Sequence, residues 1–151
     1  AVIERLGQKP AHFKPVSYQQ DVRAKIECYG AKKKTLAKKE LVGVDVFIDN
    51  PAMMPNDIGE KLQKITGKLK PIIITSRGLK IWPDCMIDAP YANHCSCRFQ
   101  TTTDMKALGQ ISHQDIIDLL QQFDALGLDV IKTENLYTFD GKPGFSLAQG
   151  Q

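Results

Sequence analysis

From Leu41 onward, only two stretches of this 151-residue chain carry apolar residues at helical spacing, and each carries a single stripe. In "MPNDIGEKLQKITG" (54–67) Ile58, Leu62 and Ile65 fall at i, i+4 and i+7. Pro55 suits a first turn, Asp57 suits the positive end of the helix dipole, and Gly67 can end the helix. The second stripe is Ile116, Leu119, Leu120, Phe123 and Leu126, with Ser112 as cap, Asp115 at the third position and Gly127 as the stop. A helix with one stripe buries one face. Two such helices cannot cover both faces of a sheet, so both are expected on the same face.

The segments around them read as strands. "VGVDVFI" (42–48) alternates, with Val42, Val44, Val46 and Ile48 on one face, and Asn50-Pro51 stops it. "PIIITSRGLKIWP" (71–83) offers two β-rich runs about Ser76-Arg77-Gly78, a hairpin by composition. "HCSCRFQTTT" (94–103) and "LDVIKTENLYTF" (128–139) complete the set, and "DGKPG" is a tight turn. The order β-α-β-(β)-β-α-β predicts an α+β fold: a two-layer ferredoxin-like sandwich with an extra hairpin. One sheet face is then left without helices, and an uncovered apolar face there is expected to meet a partner. Residues 41–151 form this sandwich domain, and residues 1–40 are expected to be an irregular basic linker.

The length suits one domain, and 42% apolar with 25% charged content is that of an ordinary globular protein. Net charge is +3, too small to argue for a polyanion partner. Residues 23–40 hold seven Lys or Arg against two Glu, but with only Tyr29 and Arg23 among the lysines they read as a solvated connector. No nucleic-acid partner is expected. Nor is a membrane partner, since no apolar run approaches the ~20 residues of a span. No signal pattern opens the chain, so a cytoplasmic location with reduced thiols is the expectation. The opening "AVIERLGQKP" looks cut into, as a fragment of a longer polypeptide would.

"YANHCSCRFQ" (91–100), with Cys85 upstream, holds the ligand types of a structural zinc site. If 94–103 is a strand, however, Cys95, Cys97 and Phe99 point one way while His94, Ser96 and Arg98 point the other. One ion is not easily held from both faces, and reduced cysteines pack readily as small hydrophobes. Core packing is the expected role, with no metal ligand assigned. His12, His94 and His113 have no nucleophile placed beside them, no phosphate-cradling glycine motif is present, and Asp45 reads as a solvated charge on a polar face. No catalytic or cofactor-binding residue emerges.

The tail "LYTFDGKPGFSLAQGQ" (136–151) closely resembles the terminus of the bacterial, Thermus-type NADP-dependent isocitrate dehydrogenases, which carry an extra domain after the catalytic fold and end in a phrase like F-D-G-x-P-G-F-x-x-A-Q-G. "VGVDVF" (42–47), "SRGLKIWP" (76–83) and "CRF" (97–99) agree in order and spacing. The resemblance implies a non-catalytic C-terminal domain of an oxidoreductase of the tricarboxylic acid cycle, one that converts isocitrate to 2-oxoglutarate and CO2. It implies a role in subunit assembly and stability. NADP and Mg or Mn would belong to the full-length enzyme and none to this fragment. The partners would be its own catalytic domain and a second subunit in a homodimer. Phe139, Asp140, Gly141, Pro143, Gly144 and Phe145 are the interface residues this reading suggests. Two other readings are a free-standing regulatory domain that binds a small ligand, and an RNA-binding sheet, for which "CRFQTTTD" lacks the aromatic pattern.

Overall fold

The alternating segment becomes β1 (Lys39–Asp49), an eleven-residue strand with another strand on either side. The computed structural model describes residues 4, 7–8, 11–14, 36–49, 51–84 and 92–147. The chain separates into two compact units, Ala1–Thr35 and Leu36–Gln151, and every element named below belongs to the second. The lysine run at 32–34, Cys85 and the closing Ala148-Gln149-Gly150 lie outside the described residues.

After β1 come α1 (Pro55–Leu62), β2 (Lys70–Ser76), β3 (Leu79–Trp82), β4 (His94–Gln100), α2 (His113–Ala125), β5 (Asp129–Phe139) and β6 (Lys142–Pro143). The sheet runs β3-β2-β4-β1-β5-β6, with every neighbouring pair antiparallel. Without β3 and β6 the order is that of a ferredoxin-like sandwich. Each β-α-β unit straddles one strand: β1 and β2 flank β4, while β4 and β5 flank β1. The α+β two-layer fold read from the sequence is the fold the chain forms.

Local chemistry accounts for the turns. Arg77-Gly78 and Asp140-Gly141 all have positive φ (50°, 81°, 49° and 76°), the conformation that two-residue hairpins need. The first joins β2 to β3 as expected. The second adds β6, a two-residue strand that composition alone marked only as a turn. At α2, Ser112 and Asp115 form a reciprocal capping box, and Gly127 with φ 65° follows the helix end. Helix α1 is shorter than its stripe: it ends at Leu62, well before Gly67. The amide and carbonyl of Thr66 both pair with the Gln122 side chain of α2, at 2.9 Å each, instead of continuing the helical ladder. A tight turn from Ile65 N to Leu62 O (3.1 Å) still delivers Ile65 to the core.

Both helices lie on one face, side by side, where Lys61 of α1 also donates to the carbonyl of Leu126 (3.2 Å). A single core joins them to the sheet: Ile58, Leu62, Ile116, Leu119 and Phe123 pack on Val44, Val46, Ile48, Ile74, Cys97 and Phe99. Of the expected α2 stripe, Leu120 and Leu126 are only partly buried. Phe99 and Phe123 meet edge to face at 5.5 Å. Trp82 lies on α1 where it needs a glycine, because a Cβ on Gly59 would stand 2.2 Å from the indole Nε1. No helix among the described residues is long and apolar enough to cross a membrane.

Candidate functional site

The face of the sheet away from the helices is not the open apolar surface expected of it. Its centre is charged and buried. Asp45 of β1 and Arg98 of β4 stand opposite each other in register, only 7% and 8% exposed. Arg98 donates from Nε to Asp45 Oδ1 and from Nη2 to Oδ2, both at 2.8 Å, the two-pronged geometry that fits a guanidinium to a carboxylate. Gln100 and Thr138 are also buried polar residues, and by register they share this face. Asp45 is therefore not a solvated charge, as the sequence suggested, but half of an internal ion pair.

The C-terminal tail covers that pair. Chain reversal at Asp140-Gly141 sends β6 back along β5. The next residues cross the face until Arg98 Nη1 donates to the carbonyl of Ser146 (3.0 Å) and the Phe145 ring sits 5.2 Å from the guanidinium carbon. The turn is held at its base by Lys38, whose amide donates to Asp140 Oδ1 (2.8 Å) and whose carbonyl accepts from the Asp140 amide (2.9 Å). Gly144 donates to the Tyr137 carbonyl at 2.8 Å, and its missing side chain makes room for the Phe139 ring. Of the six tail residues singled out from the sequence, Phe145 thus rests on Arg98, Phe139 rests on Gly144, and Asp140 and Gly141 form the turn that positions both. Pro143 pairs with Thr138 in β6, and Phe139 remains 43% exposed.

The cysteine-histidine stretch obeys strand alternation. Cys95 and Cys97 are in the core beneath the helices, 4% and 0% exposed, while His94 is exposed on the other face, 3.9 Å from Asp49. A hydrogen bond between the two thiols holds Cys95 below its ordinary pKa, against the opposing effect of burial. The same bond, reinforced by burial, pushes Cys97 well above its own. Among the described residues no three His, Cys, Asp or Glu side chains converge as a metal site would require. His113 opens α2, with its Nε2 3.5 Å from the Tyr137 hydroxyl, and His12 is exposed.

Sequence reasoning missed Arg98 as a partner for Asp45. The usable signal was that each is the one charge in an apolar or thiol-rich run, "VGVDVFI" and "CSCRF", and such charges survive burial only in pairs.

Comparison with known proteins points one way. The family "Bacterial isocitrate dehydrogenase, C-terminal domain" matches residues 39–151. The isocitrate dehydrogenase [NADP] of Rickettsia typhi is 38% identical over 151 residues, which is 99% of this chain but 30% of that protein. Its Thermus thermophilus counterpart is 28% identical, across 100% of this chain and 29% of its own length. The crystal structure of TT0538 protein from Thermus thermophilus superposes with a TM-score of 0.68 at 27% identity, covering 78% of this chain and 23% of that one. The chain therefore spans less than a third of the length of the relatives it matches, and it belongs to the bacterial isocitrate dehydrogenase C-terminal domain family.

Proposed function

We propose that this domain is a non-catalytic part of an NADP-dependent isocitrate dehydrogenase and serves subunit assembly and stability. The observation that carries this reading is the Asp45–Arg98 pair. A buried carboxylate and guanidinium are the natural material of an active site, yet here each is engaged by the other and sealed by the chain's own tail. That arrangement suits a domain that holds a shape and leaves chemistry to another part of the protein.

The relatives' printed name, isocitrate dehydrogenase [NADP], supports the substrate and cofactor of this reading. In the whole enzyme, residues 1–40 would lead out of the catalytic portion and 41–151 would form the appended sandwich. Isocitrate would be oxidised and decarboxylated to 2-oxoglutarate and CO2 on the catalytic portion, in the cytoplasm, within the tricarboxylic acid cycle. NADP and Mg or Mn would be held by that other portion, and no step is routed through this one.

Truncation of the whole enzyme before Leu36 tests this. Loss of dimer mass on dilution, or a lower inactivation temperature, with turnover per intact dimer preserved, is the expected result. A truncated enzyme that keeps its mass and heat tolerance but loses turnover would reverse the assignment.

A further inference from the structure

The assembly role needs a surface, and the fold leaves one edge of its sheet open. β6 covers only Thr138 and Phe139 of the eleven-residue β5. Beside Asp129–Leu136, on the side away from β1, no strand lies among the described residues, and the Tyr137 carbonyl is already taken by Gly144. Beyond that edge the surface is more apolar than solvent favours. Ile131 of β5 is 51% exposed and Ile117 of α2 is 48% exposed. Leu120, Leu128 and Val130 line a groove of about 500 Å³ between helix and strand together with Asp124, Gly127 and Asp129. A strand edge flanked by exposed apolar side chains is a surface to which another strand can add.

The charges on β5 select the occupant. Lys132 and Glu134 lie on one face, exposed and paired with each other, with Thr133 between them. When an antiparallel strand adds through a two-fold axis normal to the sheet, residue i meets residue j of the other copy with i + j constant, and the faces match only when that sum is even. An axis at Lys132 sets lysine against lysine, and one at Glu134 sets glutamate against glutamate. An axis at Thr133 places Lys132 opposite Glu134 twice; the count stops at Lys132, because Phe47 and Ile48 of β1 pair with Lys132 and Val130 and skip Ile131. Of these three registers, only the one about Thr133 sets opposite charges against each other.

Resting on the assembly role proposed above, we infer that β5 pairs with β5 of a second copy about Thr133. The pairing makes one continuous sheet with all four helices on the same side and shields the Ile117–Leu120 surface of α2.

The test uses the full chain. Thr133→Cys places thiols at the axis, and mild oxidation gives a cross-linked dimer whose peptide map joins the two copies through position 133 of each. Lys132→Glu turns both cross-copy ion pairs into like-charge contacts and weakens the dimer roughly tenfold or more, as does Glu134→Lys. An equimolar mixture of these two single variants associates as tightly as the parent chain. Only contacts between copies are restored in that mixture, because the Lys132–Glu134 pair within each chain stays broken. A dimer by light scattering with no cross-link at position 133 and no gain on mixing overturns the β5 edge and leaves the assembly role standing. A chain that remains monomeric also overturns the β5 edge, while the assembly role is then decided separately by the truncated enzyme.

Discussion

Arg98 reaches across from β4 to grip Asp45 of β1 with two of its nitrogens, each 2.8 Å from a carboxylate oxygen, inside a face of the sheet that carries no helix. Such a pair is costly to desolvate and costlier to break on one side. Asp45→Ala leaves the guanidinium buried without its counter-charge and should lower stability by about 3–5 kcal/mol. Replacing both, as Asp45→Ala with Arg98→Met, should cost far less than the sum of the two single losses. Urea midpoints of the three variants settle this. Single losses below about 1 kcal/mol would mean the pair is hydrated in solution.

The tail is coupled to the same pair through the Ser146 carbonyl and the Phe145 ring. A hydrogen bond to a charged group is worth about 1.5–3 kcal/mol, so a chain ending at Gly144 should be less stable by roughly that amount. In an Arg98→Met background the same truncation should cost much less. Equal cost in both backgrounds would show that the tail is held by something other than Arg98.

At Gly59 two effects oppose each other. Alanine in a helix is favoured over glycine by up to about 1 kcal/mol. Yet the added methyl would sit 2.2–2.5 Å from three atoms of the Trp82 indole, a β3 side chain packed against the core. Overpacking of this kind costs about 1–3 kcal/mol and should win, so Gly59→Ala lowers the melting temperature. Adding Trp82→Leu should recover part of the loss. A higher melting temperature for Gly59→Ala alone would mean that the indole moves aside freely.

Which features were legible in the sequence follows from how local their causes are. Helix α2, the start of α1, the Arg77-Gly78 hairpin and the Ser112 cap are each fixed within a few residues, and each stands where the sequence placed it. Alternation correctly put Cys95 and Cys97 on one face and His94 on the other. The early end of α1 was hidden because it depends on Gln122, 56 positions from Thr66. The solvated reading of Asp45 failed for the same reason, since its partner lies 53 residues away and its cover comes from the far end of the chain. The tail motif was visible as a phrase, but its place over Arg98 exists only once the sheet has formed.

The thiols offer a test of burial. Cys95 has the lowered pKa, which in the open would speed alkylation, but at 4% exposure a reagent cannot reach it. Peptide-resolved labelling of the native chain should leave Cys95 and Cys97 unmodified under conditions that label both after denaturation. Labelling of Cys95 at the rate of a free peptide would place β4 at an opening edge of the fold.

The cap on α2 should write a pH dependence into stability. The Ser112 amide donates to Asp115 Oδ2 at 2.7 Å and the Ser112 hydroxyl donates at 2.8 Å, which holds the Asp115 carboxyl below the usual carboxylate range. A group whose native pKa is depressed stabilises the fold above its unfolded value and loses that contribution as pH falls through the native one. Wild-type chain should therefore be more stable than Asp115→Asn at pH 6–7, with a difference no larger than the ~1 kcal/mol of a helix cap, because the side chain is only partly buried and solvent screens its charge. The gap should close from about pH 4 downward and vanish once the native carboxyl is protonated. Parallel denaturation curves of the two chains between pH 7 and pH 2 check the sign. A difference that persists unchanged to the lowest pH would mean that Asp115 supports the helix by shape and not by charge.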